Sequence, residues 1–499
     1  MSLCARNLRR AGWFVPLLLS AGLLLAQDTG TPADAAAPPP EPESAPTRVD
    51  ANQTTQAPEP RVRARLEPGP VGVAEKQEKQ EKPGSSRWEF SWQGWNGLHI
   101  ELWRKTHLAN PLDALGLVDP DLLPIIHLEQ VKFSATLGAR LDVDGAAFRT
   151  TGDLTGFDDG VQLRRARINF GGDAILFVPF RYEIQIGYVP NQFNLHEAFL
   201  NFPNIKWIGS LRLGQFQPPM GLDLITSSWS IALMEPAAPL QAIAPPIEAG
   251  AQVGEPFANR RATWFLGAFG PGAGSEEYGS VSSGFGNALG RVTWLPFGRL
   301  DPEHPSANRF LHLGLSVSSQ YASSGTIRYQ ARPESYIAPF VIDTGDITSS
   351  SVTTAAAEVA WVNGPFSVQS EFLQSFVGRT NSSSLRFGGF YAEASWFLTG
   401  ETPRYDPETG AFGRPVPLRN FSFRKGEGWG ALEVAVRYSH TDLNDQDVHG
   451  GLLKMWMTGL NWYLQPHLKW MFNYGRGSVS GGASQGDMSI FQARVGVDF

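Results

Sequence analysis

The feature that most constrains this chain is an alternation of apolar and polar residues that begins near Val131 and runs to the last residue. In the final stretch, 489–499, the apolar positions are Phe491, Ala493, Val495, Val497 and Phe499, with Gln492, Arg494, Gly496 and Asp498 between them. A period of two puts one set on each face of a strand. Upstream, Phe133, Ala135, Leu137, Ala139 and Leu141 alternate with Lys132, Ser134, Thr136, Gly138 and Arg140, and similar rows recur at 180–188, 311–317, 432–438 and 468–474. A two-sheet sandwich shows the same period. Aromatics crowd the ends of these apolar rows, however, and the closing strand stops on an aromatic. Both features point to a barrel that crosses a membrane, girdled at its interfaces and closed by pairing its last strand with its first.

The chain divides into unlike parts. Residues 1–26 read as a secretory signal: Arg6, Arg9 and Arg10 precede the apolar run 12–25, and Ala26 offers a cleavage position. That run is too short for a spanning helix, which needs ~20 residues. Residues 27–86, rich in Pro, Ala, Glu and Gln, cannot bury enough apolar surface to order themselves and are expected to be a disordered linker. Residues 87–128, with Trp88, Trp92, Trp95 and Trp103, are expected to form a periplasmic or plug segment, with a short strand or plug element at 97–103. The remainder, 129–499, is expected to be the barrel. Its alternation predicts sixteen strands near 131–142, 162–171, 180–188, 194–202, 208–216, 250–257, 261–269, 287–296, 310–320, 353–362, 366–373, 387–398, 430–439, 453–463, 467–475 and 489–499. The fold class is therefore all-β, a 16-stranded antiparallel transmembrane barrel behind a disordered linker. With the first strand starting in the periplasm, the short connections 258–260, 363–365 and 464–466 fall on one side. The long ones, 143–161, 217–249, 270–286, 321–352 and 440–452, fall on the other, as such barrels require. The long connection 399–429 lands on the short side and is either an inner excursion or two missed strands.

Composition excludes some functions. The net charge of −7 argues against a polyanion binder, and no basic helix or stacking platform suggests nucleic acid. The one cysteine, Cys4, precedes the apolar run, so disulfide and thiol chemistry are not expected in the processed chain. Nine of the 41 basic residues are lysine and 32 are arginine, a bias toward the fixed, multi-donor anion binder that codon usage could also produce.

Several segments resemble a known family. Residues 388–400 read GGFYAEASWFLTG, 428–444 read GWGALEVAVRYSHTDLN, and 460–474 read LNWYLQPHLKWMFNY. LRRARINFGG at 163–172, LRLGQFQPPMGLDLITSS at 211–228 and RPESY at 332–336 agree. Together they are similar to the phosphate-selective porin O and P family over about 130–499. The resemblance implies a bacterial outer-membrane location, a water-filled and homotrimeric channel, outer loops folded inward as a constriction, and arginine rows that guide small anions such as phosphate.

The inward parity of the strands places Lys132, Arg140, Arg165, Arg167, Arg181, Arg212, Arg261, Arg291, Arg437, Lys469 and Arg494 on the lumen side as a candidate anion path. Guanidinium groups offer paired N–H donors to oxyanions. Each could equally pair with a lumen acid such as Glu183, Glu371, Glu393 or Glu433. The candidate constriction is 217–249, stiffened by Pro218, Pro219 and four further prolines. It carries Asp223, Glu235 and Glu248 and no Lys or Arg, which weakens a phosphate site made from loop cations. A general or structural outer-membrane barrel without anion selectivity is the alternative. No cofactor, metal site or enzyme activity is expected. Ser439 and His440 are adjacent on a strand and point to opposite faces, and the 442–449 cluster of Asp, Asn and His reads as a solvated loop rather than a cation site.

Overall fold

The computed structural model describes residues 86–92, 98–105 and 130–499, except 177, 190–191, 272–280, 284–285, 301–307, 425 and 427. The expected signal segment, nearly all of the expected linker and most of 87–128 lie outside the described residues. In chain order the strands are β1 (Ser86–Trp92), β2 (Leu98–Lys105), β3 (Gln130–Thr150), β4 (Gly160–Ile175), β5 (Pro179–Val189), β6 (Gln192–Ile205), β7 (Gly209–Phe216), β8 (Glu248–Phe257) and β9 (Ala262–Pro271). They continue as β10 (Val281–Ser283), β11 (Gly286–Arg299), β12 (Arg309–Arg328), β13 (Gln330–Ala331), β14 (Ile342–Asp343), β15 (Ile347–Asn363), β16 (Phe366–Gly378) and β17 (Leu385–Phe397). The last are β18 (Tyr405–Asp406), β19 (Ala411–Phe412), β20 (Ala431–Asp445), β21 (Val448–Gln465), β22 (Leu468–Ser480) and β23 (Gly486–Asp498).

Sixteen of these, β3–β9, β11, β12, β15–β17 and β20–β23, pair antiparallel in sequence order. β23 then returns to β3, from Met488 opposite Thr150 to Asp498 opposite Arg140. The last residue adds two backbone bonds: Phe499 donates to the Ala139 carbonyl (2.9 Å) and its own carbonyl accepts from the Ala139 N–H (2.8 Å). Closure leaves no open edge in the ring, which is what lets a sheet sit in hydrocarbon. Below the seam, β3 continues past Phe499 and pairs with β2, which pairs with β1. The expected short strand near 97–103 is β2.

Every expected strand is present. Several run further toward the loop end than the alternation suggested. β3 reaches Thr150, β12 reaches Arg328, and β20 and β21 meet in a hairpin at Gln446 and Asp447, so the expected 440–452 loop is mostly strand. The turn end is tight: Ala258, Asn259 and Arg260 all take left-handed φ (51°, 58° and 62°), and Gly364 (φ 60°) turns β15 into β16.

The outward parity is apolar and exposed, as in Ile168, Leu266, Leu315 and Val359. Exposed aromatics bound it, with Trp361, Trp396 and Trp470 toward the turn end and Phe376, Trp456, Tyr474 and Phe491 toward the loop end. The inward parity differs from expectation. On β16, β17, β20, β21 and β23 it includes Leu373, Phe387, Ala435, Leu453, Met455, Met457 and Ile490, all buried. These side chains do not face water. They pack against two inward-folded segments, 217–247 and 329–346, whose Met220, Leu233, Leu240, Ile243, Tyr329 and Ala338 join the same cluster. Burying one such aliphatic side chain contributes about 1.5–3 kcal/mol, so this dry packing fixes both segments.

The seam makes a testable point. A Cβ on Gly138 would lie 2.5 Å from the Phe499 carbonyl oxygen, whereas one on Gly160 would meet nothing within 4 Å. Gly138→Val is expected to destabilise the closed barrel by roughly 1–3 kcal/mol. Gly160→Ala should be close to neutral. The temperature at which the folded band converts to the unfolded one in semi-native electrophoresis reads the difference.

Candidate functional site

The lumen is narrowed from both ends. From the loop end, 217–247 folds inward with two short helices, α1 (Leu222–Ile225) and α2 (Ala238–Ile243). From the turn end, the long connection after β17 also folds in, and its β18–β19 pair packs against β12 through Phe310, Tyr405 and Phe412. The 399–429 stretch is therefore an inner excursion. The two segments meet: Phe412 N–H donates to Thr226 Oγ1 (3.3 Å), and Leu222 and Ile225 pack with Ala411 and Phe412.

What holds the first segment is its acids. Glu235 accepts from Arg164 Nε and Nη2 (3.0 and 3.1 Å) and from Arg494 Nη2, with Arg165 close by (3.8 Å). Arg494 also grips Asp144 through two bonds of 2.7 Å and the Met234 carbonyl at 2.6 Å. Asp223 accepts from Arg437 (3.3 Å), which also bonds Glu393 (2.8 Å), Glu334 (3.3 Å) and the Glu235 carbonyl (2.9 Å). The Glu371 carboxylate accepts the Leu222 and Asp223 N–H groups (both 2.8 Å), satisfying donors that the start of α1 leaves open. Lys469 Nζ donates to the Trp229 carbonyl at 2.7 Å. Glu248, expected in the loop, is the first residue of β8 and accepts from Asn287 (2.7 Å). Pro218 and Pro219 are buried at the start of the segment.

Burial alone would raise the Glu235 carboxyl, but Arg164, Arg494 and Arg165 outweigh it and hold it well below the usual carboxylate range. A carboxylate depressed in this way stabilises the fold fully above its unfolded value of about 4.3 and loses that contribution only as pH falls through the lower folded value.

One side of the lumen stays open. A cavity of about 410 Å³ is bordered by Arg140, Arg165, Arg167 and Arg212 on the wall, by Glu183 and Glu197 between them, and by Trp229, Arg414 and Asp498. Arg140 is held by Asp142 (2.7 Å) and Ser228 Oγ (3.0 Å). The Arg212 guanidinium lies over the rings of Phe199 (4.5 Å) and Phe216 (5.3 Å), which fix its position without neutralising it.

Four of the eleven candidate cations therefore border the cavity. Arg437, Arg494 and Lys469 do not; they are buried in the wall–loop contact, where Arg165 is also buried, against Asp142 (3.4 Å) and Glu235 (3.8 Å). Arg291 is bound to Glu358 (2.7 and 2.9 Å) and to the Thr409 and Gly410 carbonyls (both 2.9 Å), so it anchors the turn-end excursion. Arg181 pairs with Asp173 (3.2 Å) in the first residues of β5, and Arg261 donates to the Leu295 and Pro296 carbonyls beside its turn. Neither lines the cavity. Lys132 lies in β3, with its side chain outside the described residues. Of the lumen acids weighed as partners, Glu393 takes an arginine, while Glu371 takes backbone N–H groups and the Tyr391 hydroxyl. Glu433 accepts from Asn461 and Tyr463.

Sequence reasoning missed Arg164, which strict alternation sends outward. A bulge opposite Asp142 and Val143 turns both Arg164 and Arg165 inward. It also missed Glu334, which accepts from Ser439 Oγ, the Ala238 N–H and Arg437.

A closed antiparallel barrel of sixteen strands, tight at one end and with loops narrowing a charged lumen, is the architecture of an outer-membrane porin. Residues 133–499 match the family described as phosphate-selective porin O and P, and the chain belongs to that family. It lies in the outer membrane, so the turn end is periplasmic. It is 25% identical over 378 residues to Porin O of Pseudomonas aeruginosa, covering 68% of this chain and 81% of that one. It is 27% identical over 364 residues to an uncharacterized protein of Caulobacter vibrioides, covering 69% of each. Among solved structures it is similar to an anion-selective porin from Comamonas acidovorans (12% identity, 73% of this chain and 99% of that one, TM-score 0.43). It is also similar to the outer-membrane channel DcaP of Acinetobacter baumannii (9% identity, 73% and 97%, TM-score 0.44).

Removing one partner of a buried ion pair costs about 3–5 kcal/mol. Glu235→Gln is therefore expected to loosen 217–247, lowering thermal stability and raising single-channel conductance or its noise at pH 7. In the unmodified protein the Glu235 clasp should persist at pH 5, so conductance noise there should stay below that of the variant.

Proposed function

We propose that this porin passes small anions, phosphate among them, by passive diffusion along the cavity bordered by Arg140, Arg165, Arg167 and Arg212, and that it works as a homotrimer. The observation that carries the reading is the placement of these four guanidinium groups, with Arg414, around one open cavity of the lumen, with no lysine among its lining residues. Fixed donors in a narrow pore lower the barrier to an oxyanion that must shed part of its water. The family's description agrees. A second reading, a general porin without anion preference, is favoured by Glu183 and Glu197 on the same cavity wall. Planar-bilayer reversal potentials in a KCl gradient separate the two. Anion preference is expected for the unmodified protein, and Arg167→Gln combined with Arg212→Gln should reduce it at least twofold. Cation preference in the unmodified protein would remove the anion reading.

A further inference from the structure

One group of basic residues stands apart from the lumen and its loops, on the lipid-facing wall. On β20, β21 and β22 the outward row at the loop-end edge of the apolar band contains Tyr438, Trp456 and Tyr474, and the rings of Tyr438 and Trp456 are 4.9 Å apart. At and just beyond this row, His440 stands directly opposite Lys454, Lys454 opposite Ser478, and Arg476 opposite Trp456. Directly opposed residues have Cβ atoms about 5 Å apart and diagonal ones about 7–8 Å, so the Lys454 side chain lies between His440 on one strand and Arg476 on the other, within reach of each.

Lys454 and Arg476 are exposed, while His440 is half-buried with its ring stacked on Phe390 at 5.5 Å. Among the described residues, no hydrogen bond or ion pair engages the Lys454 ammonium or the Arg476 guanidinium. Two acids flank the group. Asp442 already accepts from the backbone and side-chain N–H groups of Asn444 (3.0 and 2.9 Å), and Asp487 stands opposite Ser478.

A single lysine or arginine at a membrane boundary can be explained by snorkelling to water. Lys454 and Arg476, diagonal neighbours on adjoining strands, repel one another, and an anion shared between them relieves that repulsion. At this depth, level with the aromatic girdle, the anion within reach is a lipid headgroup. We propose that His440, Lys454 and Arg476 form a docking site on the outer wall of the barrel for the phosphate of an anionic lipid in the outer leaflet. Lys454 and Arg476 supply the charge, Ser478 a hydroxyl, and Trp456 and Tyr474 the apolar flank against the lipid's chains. The site is separate from the lumen and does not depend on which solute the lumen passes.

The test uses the full-length protein in a neutral detergent. Mixed micelles carry either bisphosphorylated lipid A or phosphatidylcholine, and native mass spectrometry counts the lipid retained. The unmodified protein should retain lipid A in preference to phosphatidylcholine. Lys454→Gln combined with Arg476→Gln should weaken retention roughly tenfold or more. The swap Lys454→Arg with Arg476→Lys, which keeps both charges, should retain it. Equal retention by the unmodified and neutralised proteins, or displacement of lipid A by inorganic phosphate at matched concentration, would overturn the proposal. So would loss of binding in the charge-keeping swap, or a contact between copies that shields Lys454 from a water-soluble amine reagent in the lipid-free protein.

Discussion

The structure depends on an electrostatic match between a loop that carries acids and no cations and a wall that carries arginines. Neither side could be buried alone. Glu235 without Arg164 and Arg494 would be an unpaired charge in a dry contact, and those arginines without it would repel one another and Arg165. Because the wall supplies forked donors and the loop supplies two-oxygen acceptors, the contact is directional as well as attractive. Apolar packing around Leu240, Met455 and Ile490 then excludes water from it.

This match divides the lumen. The side lined by β16–β23 is filled, and its cations serve the fold. The side lined by β3–β9 stays open, and its cavity is bordered by Arg140, Arg165, Arg167 and Arg212 of the wall and by Arg414 of the turn-end excursion. Basic residues that look equivalent in the sequence thus play different parts. Arg437 is enclosed by Glu393, Asp223 and Glu334, whereas Arg212 rests on two phenylalanine rings at the edge of open space. Position relative to the loop, and not residue type, decides which cations can meet a solute.

Much of the fold was legible because a barrel strand needs only one face to be apolar, and an apolar outward row marks each of the sixteen strands of the ring. The length of the outward-reaching strands was less legible. Beyond the apolar band neither face must be greasy, so β20 continues to Asp445 through residues that read as a loop. The dry part of the lumen was also hidden, although the run Leu452, Leu453, Met455, Trp456 and Met457 breaks the alternation in a way that marks a strand apolar on both faces. Arg164 was lost to a bulge, which shifts parity without altering composition. Glu334 was lost because its partners are distant in sequence, and no local pattern records them.

The bond from Phe412 to Thr226, with the small apolar contact around it, joins a segment inserted from the cell exterior to one inserted from the periplasm. The channel's waist is thus a keystone leaning on two abutments, one rooted on each side of the membrane. A disturbance at either mouth reaches the same narrow point, and the opposite abutment bears the load.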